Sequence, residues 1–447
     1  METIRLNEQQ PLGSKDLKRL RLHAARVLGR LERNIREGGS NPSPPSWVGA
    51  SDCGVEKDGE PSFYRRHFDS FGFTVAHGFC DPTETSELKR AMGKSVRDNW
   101  FPEGLADNDD EGNKSGKEEQ KATSFGTDAS SNEARGDPFL ESADKVAYFA
   151  EPMALNPETG SIKPEFGTDD KKIMALCKSG HGLHLPQKNR ENKDNEKKPN
   201  VHDPFFSYTT SQKMRELVLS LGYKDPVVPQ SMYIFKNPIV GGAVHSHQDS
   251  TFLHTTPRQT CLGLWLALDD ATLDNGCLWV RPKSHFEPLR RQFIRNPKHN
   301  TENKDEPKLT FRTHHVNPEV AWDGSLPKSV EVDFVEGENE DKFDNNCERE
   351  KDDGEVSVSS LNFVPVEVRS GDLVVFCGTL DHFSLPNFSE EQRHTFQLHL
   401  VEGPKAGVEW SPENWLQYED AAATKVDSSG KKNNKFLRLL DFAAKDT

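Results

Sequence analysis

Short apolar runs separated by turn residues constrain the fold of this sequence more than any other feature. The runs are rich in β-branched and aromatic residues, which pack well on a pleated sheet. They lie at Val146–Phe149, Val227–Phe235, Gly263–Leu268, Cys277–Val280, Leu373–Phe376 and Thr395–Val401. The sequence contains no internal repeat and no Gly-rich phosphate-binding loop. It therefore predicts a mainly β, antiparallel and barrel-like core with flanking helices, rather than alternating strand and helix units.

Two turns that contain glycine mark strand boundaries. Asn275-Gly276 lies between two of the apolar runs, and both residues tolerate the positive φ angles of a tight hairpin. Gly371-Asp372 comes directly before another run. We therefore expect a hairpin around Asn275-Gly276 and a buried strand directly after Gly371-Asp372.

Polar segments interrupt the apolar pattern. Hydrophobic residues make up 33% of the chain and the mean hydropathy is −0.79, which is too polar for one continuous globule of 447 residues. The polar residues are concentrated at 106–136, 187–200 and 331–355. The last segment holds 12 Asp/Glu and 3 Lys/Arg, so its charge of 3 − 12 = −9 supplies more than half of the chain's −15. We interpret these segments as solvated loops, with partner binding as the alternative.

The polar segments suggest three parts of the chain. These are a basic helix and linker at 1–60, a folded domain at 61–417 with inserts near 106–136, 187–200 and 297–358, and a C-terminal tail at 418–447. Apolar residues at spacings of three and four predict a helix from Ser14 to Gly39. Its basic face leaves two alternatives, a helix that packs on the domain or extends into solvent, and a transit peptide or membrane-surface helix.

The composition excludes several classes of function. An acidic chain without a basic patch binds nucleic acid poorly, because phosphates must be neutralised by Lys and Arg. Seven cysteines without a CxxC pair indicate a reduced intracellular protein with neither a disulfide framework nor a zinc cluster. No apolar run approaches the roughly 18 residues of a membrane span. We therefore expect a cytoplasmic monomer, with an organellar transit peptide as the open alternative.

The segment from His245 to Asp249 carries a metal-binding pattern. If it is a strand, residues two apart share one face, so His247 and Asp249 can meet at one cation. An imidazole and a carboxylate together suit a borderline metal such as Fe(II). A third ligand from another strand would complete a facial triad and leave three positions for a cosubstrate and O₂. Alone, such a short pattern is a weak signal.

A histidine and an arginine downstream strengthen this signal. His382 follows an apolar run, and Arg393 lies eleven residues further along, where the next run begins. In a barrel that binds 2-oxoglutarate, such a histidine closes the triad, and an arginine one strand over pairs with the distal carboxylate. The alternative for Arg393 is a surface charge in a turn. Its neighbours Phe396, Leu398 and Leu400 predict a strand that goes inward, which favours the ligand interpretation.

With these residues, the chain resembles the phytanoyl-CoA dioxygenase family. The similarity runs from about Phe63 to Gln417 and is interrupted by the polar segments. It is specific at Gln230–Lys236, at His247-Gln248-Asp249 with Phe252 and Leu253, at Gly263–His285, and at Gly371–Glu402 with the trailing Trp410–Trp415. The resemblance implies a double-stranded β-helix (jelly-roll, cupin-like) fold for 61–417 and the activity of an Fe(II)- and 2-oxoglutarate-dependent dioxygenase.

The resemblance also implies roles for single residues. The iron ligands that it implies are His247, Asp249 and His382. Arg393 would bind 2-oxoglutarate, and Met232 and Trp265 would line the cosubstrate pocket, although the last two could equally be ordinary core residues. The reaction would use O₂, with ascorbate in support, and would hydroxylate a small molecule such as a fatty acyl or acyl-CoA compound. The rival hypothesis is a catalytically silent barrel that binds metal or 2-oxoglutarate and serves as an interaction module.

Further polar residues near the motifs have open roles. The resemblance implies a lysine contact near Gly180-His181, but a gapless alignment gives Met174 at that position, with Lys172 and Lys178 nearby. His285 would border the pocket or cap a loop. We interpret His245 and His254 as supporting or structural residues. The alternative is a structural zinc site built from these histidines, but such sites usually include thiolates.

Overall fold

Each apolar run of the sequence forms a β-strand in the structure, so the predicted strands are confirmed. The structure is a computed structural model, and it describes residues 2–6, 11, 13–22, 24, 63–100, 137–166, 172–186, 203–314, 330–334, 363–418 and 436–442. The strands in chain order are β1 (Glu2–Leu6), β2 (Phe73–Ala76), β3 (Val146–Ala150), β4 (Leu176–His181), β5 (Pro226–Ile234), β6 (Val244–His247), β7 (Thr255–Thr256), β8 (Leu262–Ala267), β9 (Leu278–Val280), β10 (Arg291–Arg295), β11 (Leu309–Thr313), β12 (Val330–Phe334), β13 (Val364–Val366), β14 (Leu373–Cys377), β15 (His382–Ser384), β16 (Thr395–Glu402), β17 (Glu409–Trp410) and β18 (Leu437–Arg438). The helices are α1 (14–22), α2 (Phe63–Phe71), α3 (Pro82–Asn99), α4 (Asp137–Glu141), α5 (Pro204–Thr209) and α6 (Gln212–Ser220).

Two antiparallel sheets form the centre of the fold. The larger sheet has the order β2-β14-β8-β16-β5-β4-β3, with β18 also paired to β5, and the smaller sheet has the order β13-β9-β15-β6. Buried side chains of both sheets belong to one apolar core, including Trp279 and Phe383 of the smaller sheet and Leu264 of the larger. The fold is a double-stranded β-helix with flanking helices, as the sequence predicted.

Helices cover the face of the larger sheet that lies away from the smaller one. Phe396 of β16 packs against Phe205 and Tyr208 of α5, with ring centres 4.9 and 5.6 Å apart. Asp203 caps α5, because its carboxylate accepts hydrogen bonds from the first backbone N–H groups of that helix. Both faces of the central strands are therefore buried, which explains why their sequences are almost continuously apolar. Within the described ranges, no helix combines the length and the apolar character that crossing a membrane requires.

The described part of the N-terminal helix packs on the domain. Leu17 and Leu20 belong to the main apolar core, and the Arg21 guanidinium forms an ion pair with Glu367 at 2.9 Å. The described helix covers residues 14–22 and also residue 24, and the remainder of the predicted helix, up to Gly39, lies outside the described residues.

The hairpin predicted at Asn275-Gly276 is wrong. Gly276 does have a positive φ of 84°, and the Asn275 side chain bonds the backbone at Asp270 and Thr272. However, β8 belongs to the larger sheet and β9 to the smaller sheet, so the chain crosses between sheets here. The local turn chemistry was correct, but it does not decide which sheet the next strand joins. The buried strand expected after Gly371-Asp372 is β14, and that prediction is confirmed.

The polar segments are described only in part. The ranges 106–136 and 187–200 lie outside the described residues, and 297–358 is described at 297–314 and 330–334. Within that third range, β11 pairs with β10, and β12 pairs with β1. Residues 436–442 of the C-terminal segment also contact the domain, since β18 pairs with β5.

Candidate active site

His247, Asp249 and His382 converge where β6 and β15 meet. β6 ends at His247, β15 begins at His382, and the two residues are direct partners in the antiparallel pairing. Asp249 begins the short helical turn after β6, so it does not lie on the strand that the sequence pattern suggested. Asp249 Oδ1 lies 3.3 Å from His247 Nε2 and 3.5 Å from His382 Nε2. One ligand-type atom from each residue lies within 4.8 Å of the other two.

Main-chain carbonyls orient both imidazoles. His247 Nδ1 lies 2.7 Å from the His245 carbonyl oxygen, and His382 Nδ1 lies 3.0 Å from that of Leu380. Because a carbonyl oxygen only accepts, each Nδ1 carries the proton and donates it. Each Nε2 therefore keeps its lone pair and faces Asp249 Oδ1, which is the arrangement that metal-binding imidazoles need.

Buried polar contacts tie the two segments together. The Gln248 side chain donates from Nε2 to the Thr379 carbonyl at 2.9 Å and accepts at Oε1 from the Arg290 backbone N–H at 3.2 Å. Asp381, fully buried, forms ion pairs with Arg281 and Arg290. Burial alone would raise the pKa of the Asp381 carboxyl, but the two guanidinium groups hold it below its usual value. The turn after β6 and the loop before β15 are thereby fixed relative to each other.

A third histidine contacts the second oxygen of Asp249. His399, on β16, has its Nε2 3.0 Å from Asp249 Oδ2 and its Nδ1 3.2 Å from Gln230 Nε2. An amide N–H only donates, so His399 Nδ1 accepts and Nε2 carries the proton that it donates to the carboxylate. The two oxygens of Asp249 therefore face different partners.

The protonation states around Asp249 suit a cation. Burial alone would raise the pKa of Asp249, but His399, His382 and His247 hold it well below its usual range. Burial, with a contribution from His247, lowers the pKa of His382 to about 4. At neutral pH the carboxylate is therefore ionised and His382 is neutral. Imidazole nitrogens and one carboxylate oxygen form a donor set that fits Fe(II).

These ligand-type atoms face a cavity between the two sheets, and two groups of residues in its lining differ in character. We call the first group the polar lining, and it consists of His247, Asp249, His382, Arg393 and Lys178. We call the second group the aromatic wall, and it consists of Phe139, Phe252, Phe293, Phe311 and Trp415. Ring contacts make the wall continuous. Phe139 stacks on Trp415 at 4.3 Å between ring centres, and Phe293 lies 6.5 Å from Phe139, 5.6 Å from Phe252 and 4.7 Å from Phe311.

Arg393 is a buried cation in the polar lining. Its side chain is nearly inaccessible, its Nη1 lies 3.5 Å from Thr395 Oγ1, and its Nε has no hydrogen-bond partner among the described residues. The guanidinium lies 5.2 Å from the centre of the Trp265 ring. Burial lowers the pKa of Arg393 to about 10, so the group stays charged at neutral pH. A buried charge of this kind is costly unless an anion pairs with it.

Lys178 of β4, and not Met174, lines the cavity. Its Nζ lies 3.0 Å from His181 Nε2 and 4.7 Å from the centre of the Phe149 ring. Burial lowers the pKa of Lys178 to about 7. Met174 lies in a short helical turn before β4 and is not among the residues that line the cavity.

The other residues singled out in the sequence are divided between cavity and scaffold. Met232 and Trp265 both line the cavity. His245 contributes its carbonyl group to His247, as described above. His254 stacks on another imidazole, and His285 bonds a backbone carbonyl of α2, so neither lines the cavity.

The sequence interpretation missed His399, although β16 contains a signal for it. Gln397 and His399 share one face of β16 and line the cavity, as does Arg393 two residues before the strand. Phe396 and Leu398 belong to the apolar core on the other face. The apolar neighbours were therefore correct evidence for burial, but they point away from the cavity. Polar residues at every second position of a strand buried on both faces indicate a functional face.

Comparison with known sequences decides the family. The model of the family described as phytanoyl-CoA dioxygenase (PhyH) matches residues 68–395. A Rattus norvegicus protein named phytanoyl-CoA dioxygenase domain-containing protein 1 is 33% identical over 353 residues, which cover 79% of this chain and 93% of the rat chain. The chain belongs to the phytanoyl-CoA dioxygenase family. Its enzyme class is therefore that of the 2-oxoglutarate-dependent dioxygenases, as the resemblance implied.

Other similar proteins cover comparable parts of this phytanoyl-CoA dioxygenase family member. An Arabidopsis thaliana protein named phytanoyl-CoA dioxygenase is 35% identical over 280 residues, 62% of this chain and 72% of its own. Among solved structures, the epimerase SnoN in complex with Fe3+, alpha ketoglutarate and nogalamycin RO is 12% identical, with a TM-score of 0.44 over 84% of this chain and 97% of its own. EctD from S. alaskensis with 2-oxoglutarate and 5-hydroxyectoine is 13% identical, with a TM-score of 0.39 over 79% of this chain and 78% of its own.

Proposed function

We propose that this chain binds Fe(II) through His247, Asp249 and His382, binds 2-oxoglutarate through Arg393, and hydroxylates an apolar small molecule. One observation carries the proposal. A buried cation without a carboxylate partner among the described residues lines the same cavity as three metal-type ligands. A dianionic ligand accounts for both features, because one carboxylate can pair with the buried cation while the other end of the ligand reaches the metal.

When bound, Fe(II) and 2-oxoglutarate supply the oxidation that places one oxygen atom of O₂ in a substrate C–H bond, with succinate and CO₂ as co-products. The protein holds and shields the reactants. In this proposal Arg393 pairs with the distal carboxylate of 2-oxoglutarate and Lys178 adds a second positive charge. Met232 and Trp265 pack against the carbon chain of the cosubstrate. Ascorbate supports turnover by keeping the iron reduced.

The aromatic wall supports an apolar substrate. Its five rings line the cavity beside the metal ligands, and Leu253 lies among them. Such a surface binds hydrocarbon by excluding water rather than by hydrogen bonds. Relatives are named after phytanoyl-CoA, a fatty acyl thioester, and a fatty acyl group agrees with this surface. We therefore propose a fatty acyl compound or its CoA ester as the substrate class.

Succinate formation tests the proposal. The purified chain is incubated with Fe(II), 2-oxoglutarate and ascorbate, and a panel of fatty acyl, acyl-CoA and other apolar compounds is screened for substrate-dependent consumption of 2-oxoglutarate. Asp249→Ala should lower turnover at least about 100-fold, because the metal loses its charged ligand. The matched control is Asp98→Ala on the exposed side of α3, which should leave turnover unchanged. Normal turnover by Asp249→Ala would remove Asp249 from the proposed ligand set, and binding without turnover would indicate the silent barrel.

A further inference from the structure

The two carboxylate oxygens of Asp249 have separate environments. Oδ1 faces the two imidazole Nε2 atoms of His247 and His382 at 3.3 and 3.5 Å. Oδ2 accepts a hydrogen bond from His399 Nε2 at 3.0 Å. His399 lies on the larger sheet and Asp249 follows a strand of the smaller sheet, so this bond links the two sheets across the cavity.

The hydrogen-bond direction at His399 is fixed by Asp249, because an ionised carboxylate oxygen only accepts, and the strand partner of His399 agrees with it. Gln230 of β5 is the direct cross-strand partner of His399, and its amide nitrogen lies 3.2 Å from His399 Nδ1. His399 is 2% exposed, Asp249 6% and Gln230 5%, so little bulk water can replace these bonds. The imidazole therefore presents an N–H, and not a lone pair, to Asp249 Oδ2.

We propose that His399 is a positioning residue that restricts Asp249 to one metal contact. The inference rests on the proposed function and deepens it. With Oδ2 engaged, only Oδ1 is available to a cation beside His247 and His382. Without the His399 N–H, the carboxylate is free to turn, and both oxygens can occupy metal positions or neither can. A second carboxylate contact would take a position that 2-oxoglutarate needs, so His399 maintains open positions on the metal.

Co(II) binding to the metal-free full-length chain tests the proposal, because the visible spectrum of Co(II) reports the number of its ligands. His399→Phe removes the donor and keeps a ring of similar size, whereas His399→Gln keeps an N–H donor in reach of Asp249. His394→Phe is the matched control. His394 is also a buried histidine, it directly precedes the same strand, and its ring forms a hydrogen bond with Tyr233 instead of Asp249.

We expect His399→Phe to weaken Co(II) binding by about 10-fold to 100-fold and to change the Co(II) spectrum. It should also weaken binding of 2-oxoglutarate to the Co(II)-loaded chain. His399→Gln should stay within about threefold of the unsubstituted chain, because the amide N–H replaces the imidazole N–H. His394→Phe should leave both the affinity and the spectrum unchanged.

The possible outcomes separate this inference from the proposed function. Unchanged Co(II) affinity and spectrum in His399→Phe, or equal losses in the Phe and Gln variants, would overturn the positioning role and leave the proposed function standing. A wild-type chain that binds neither Co(II) nor 2-oxoglutarate would overturn both. Near-ultraviolet circular dichroism of the metal-free variants checks folding. If His399→Phe does not fold, His399→Leu takes its place. It also removes the N–H donor to Asp249 Oδ2, so unchanged Co(II) affinity and spectrum there would equally overturn the proposal.

Discussion

The polar lining and the aromatic wall belong to one cavity, but they are built in different ways. The metal-type ligands of the polar lining lie on or directly after core strands, and hydrogen bonds to backbone or buried side chains fix them. The aromatic wall is assembled from α4, the turn after β6, the β10–β11 pair and the segment after β17. Of these, β11 lies within the range that the sequence marked as an insert. Peripheral segments can change while a core stays constant. We therefore propose that the core strands carry the chemistry and that the peripheral segments determine the choice of substrate.

The largest expected effect concerns Arg393 in the polar lining, where a substitution should weaken ligand binding without lowering the thermal stability of the fold. Arg393→Met should raise the Kd for 2-oxoglutarate at least about 30-fold, because losing one partner of a buried charge pair costs about 2–5 kcal/mol. The ligand-free Tm should stay equal or rise, since the substitution removes a buried charge that has no carboxylate partner among the described residues. Calorimetric titration and thermal unfolding measure the two effects. Arg312→Met, at an exposed ion pair with Glu413, is the control. A lower Tm with unchanged 2-oxoglutarate affinity would contradict the comparison.

The next effect concerns the aromatic wall. Phe311→Ala should raise the KM for the apolar substrate about tenfold, because lost hydrophobic contact in a pocket costs about 1–3 kcal/mol. The Kd for 2-oxoglutarate should not change. Substrate-dependent consumption of 2-oxoglutarate measures the KM, and calorimetric titration measures the Kd. Phe286→Ala is the control, because Phe286 is exposed and does not line the cavity. An equal loss of 2-oxoglutarate affinity would show that the two groups are not separable.

A pH effect of intermediate size should arise from Lys178. Burial lowers the pKa of Lys178 to about 7 in the ligand-free chain, and a nearby anion raises it again. The free lysine loses its proton above this pKa and the complex retains it, so the affinity for 2-oxoglutarate should fall about fivefold from pH 7 to pH 8. Titrations in buffers of different ionisation enthalpy should show proton uptake, and Lys178→Met should abolish both effects. A pH-independent affinity in the unsubstituted chain would exclude Lys178 from the 2-oxoglutarate site.

The smallest effect lies outside both groups. Asp203→Ala removes the N-cap of α5 and should lower the free energy of unfolding by about 1 kcal/mol. Asp203→Asn keeps an accepting oxygen and should cost much less. Urea denaturation measures both variants, and neither should change 2-oxoglutarate or substrate binding. A change in either affinity would mean that the helix layer also shapes the cavity.

The sequence predicted the strands and the fold class because a strand that is buried on both faces consists almost entirely of apolar residues. β14, for example, is buried at every position and is apolar throughout. The candidate ligands His247 and Asp249 stand close together, so a short motif was enough to find them. His382 and Arg393 were found through their order relative to the next apolar runs.

The remaining features depend on contacts that no local pattern contains. His399 contacts Asp249 from 150 residues away in the sequence, and the rings of the aromatic wall resemble ordinary core residues until their positions are known. The crossing at Asn275-Gly276 was missed because turn residues set local backbone angles and not sheet membership. The position of Lys178 in the cavity lining depends on the register of β4, which pairs Lys178 with Ile234, another residue that lines the cavity.

The acceptors that orient His247 and His382 are peptide carbonyls at His245 and Leu380. Every amino acid carries that carbonyl, so a change of codon at either position leaves the acceptor in place. Descendants of this gene can therefore vary both neighbours while each imidazole keeps its tautomer. Asp249 differs, because among the described residues its Oδ2 accepts a hydrogen bond from one side chain, that of His399. Over evolutionary time, substitutions at positions 245 and 380 preserve the hydrogen bonds of the two imidazoles, whereas a substitution of His399 can remove the hydrogen bond to Asp249 Oδ2.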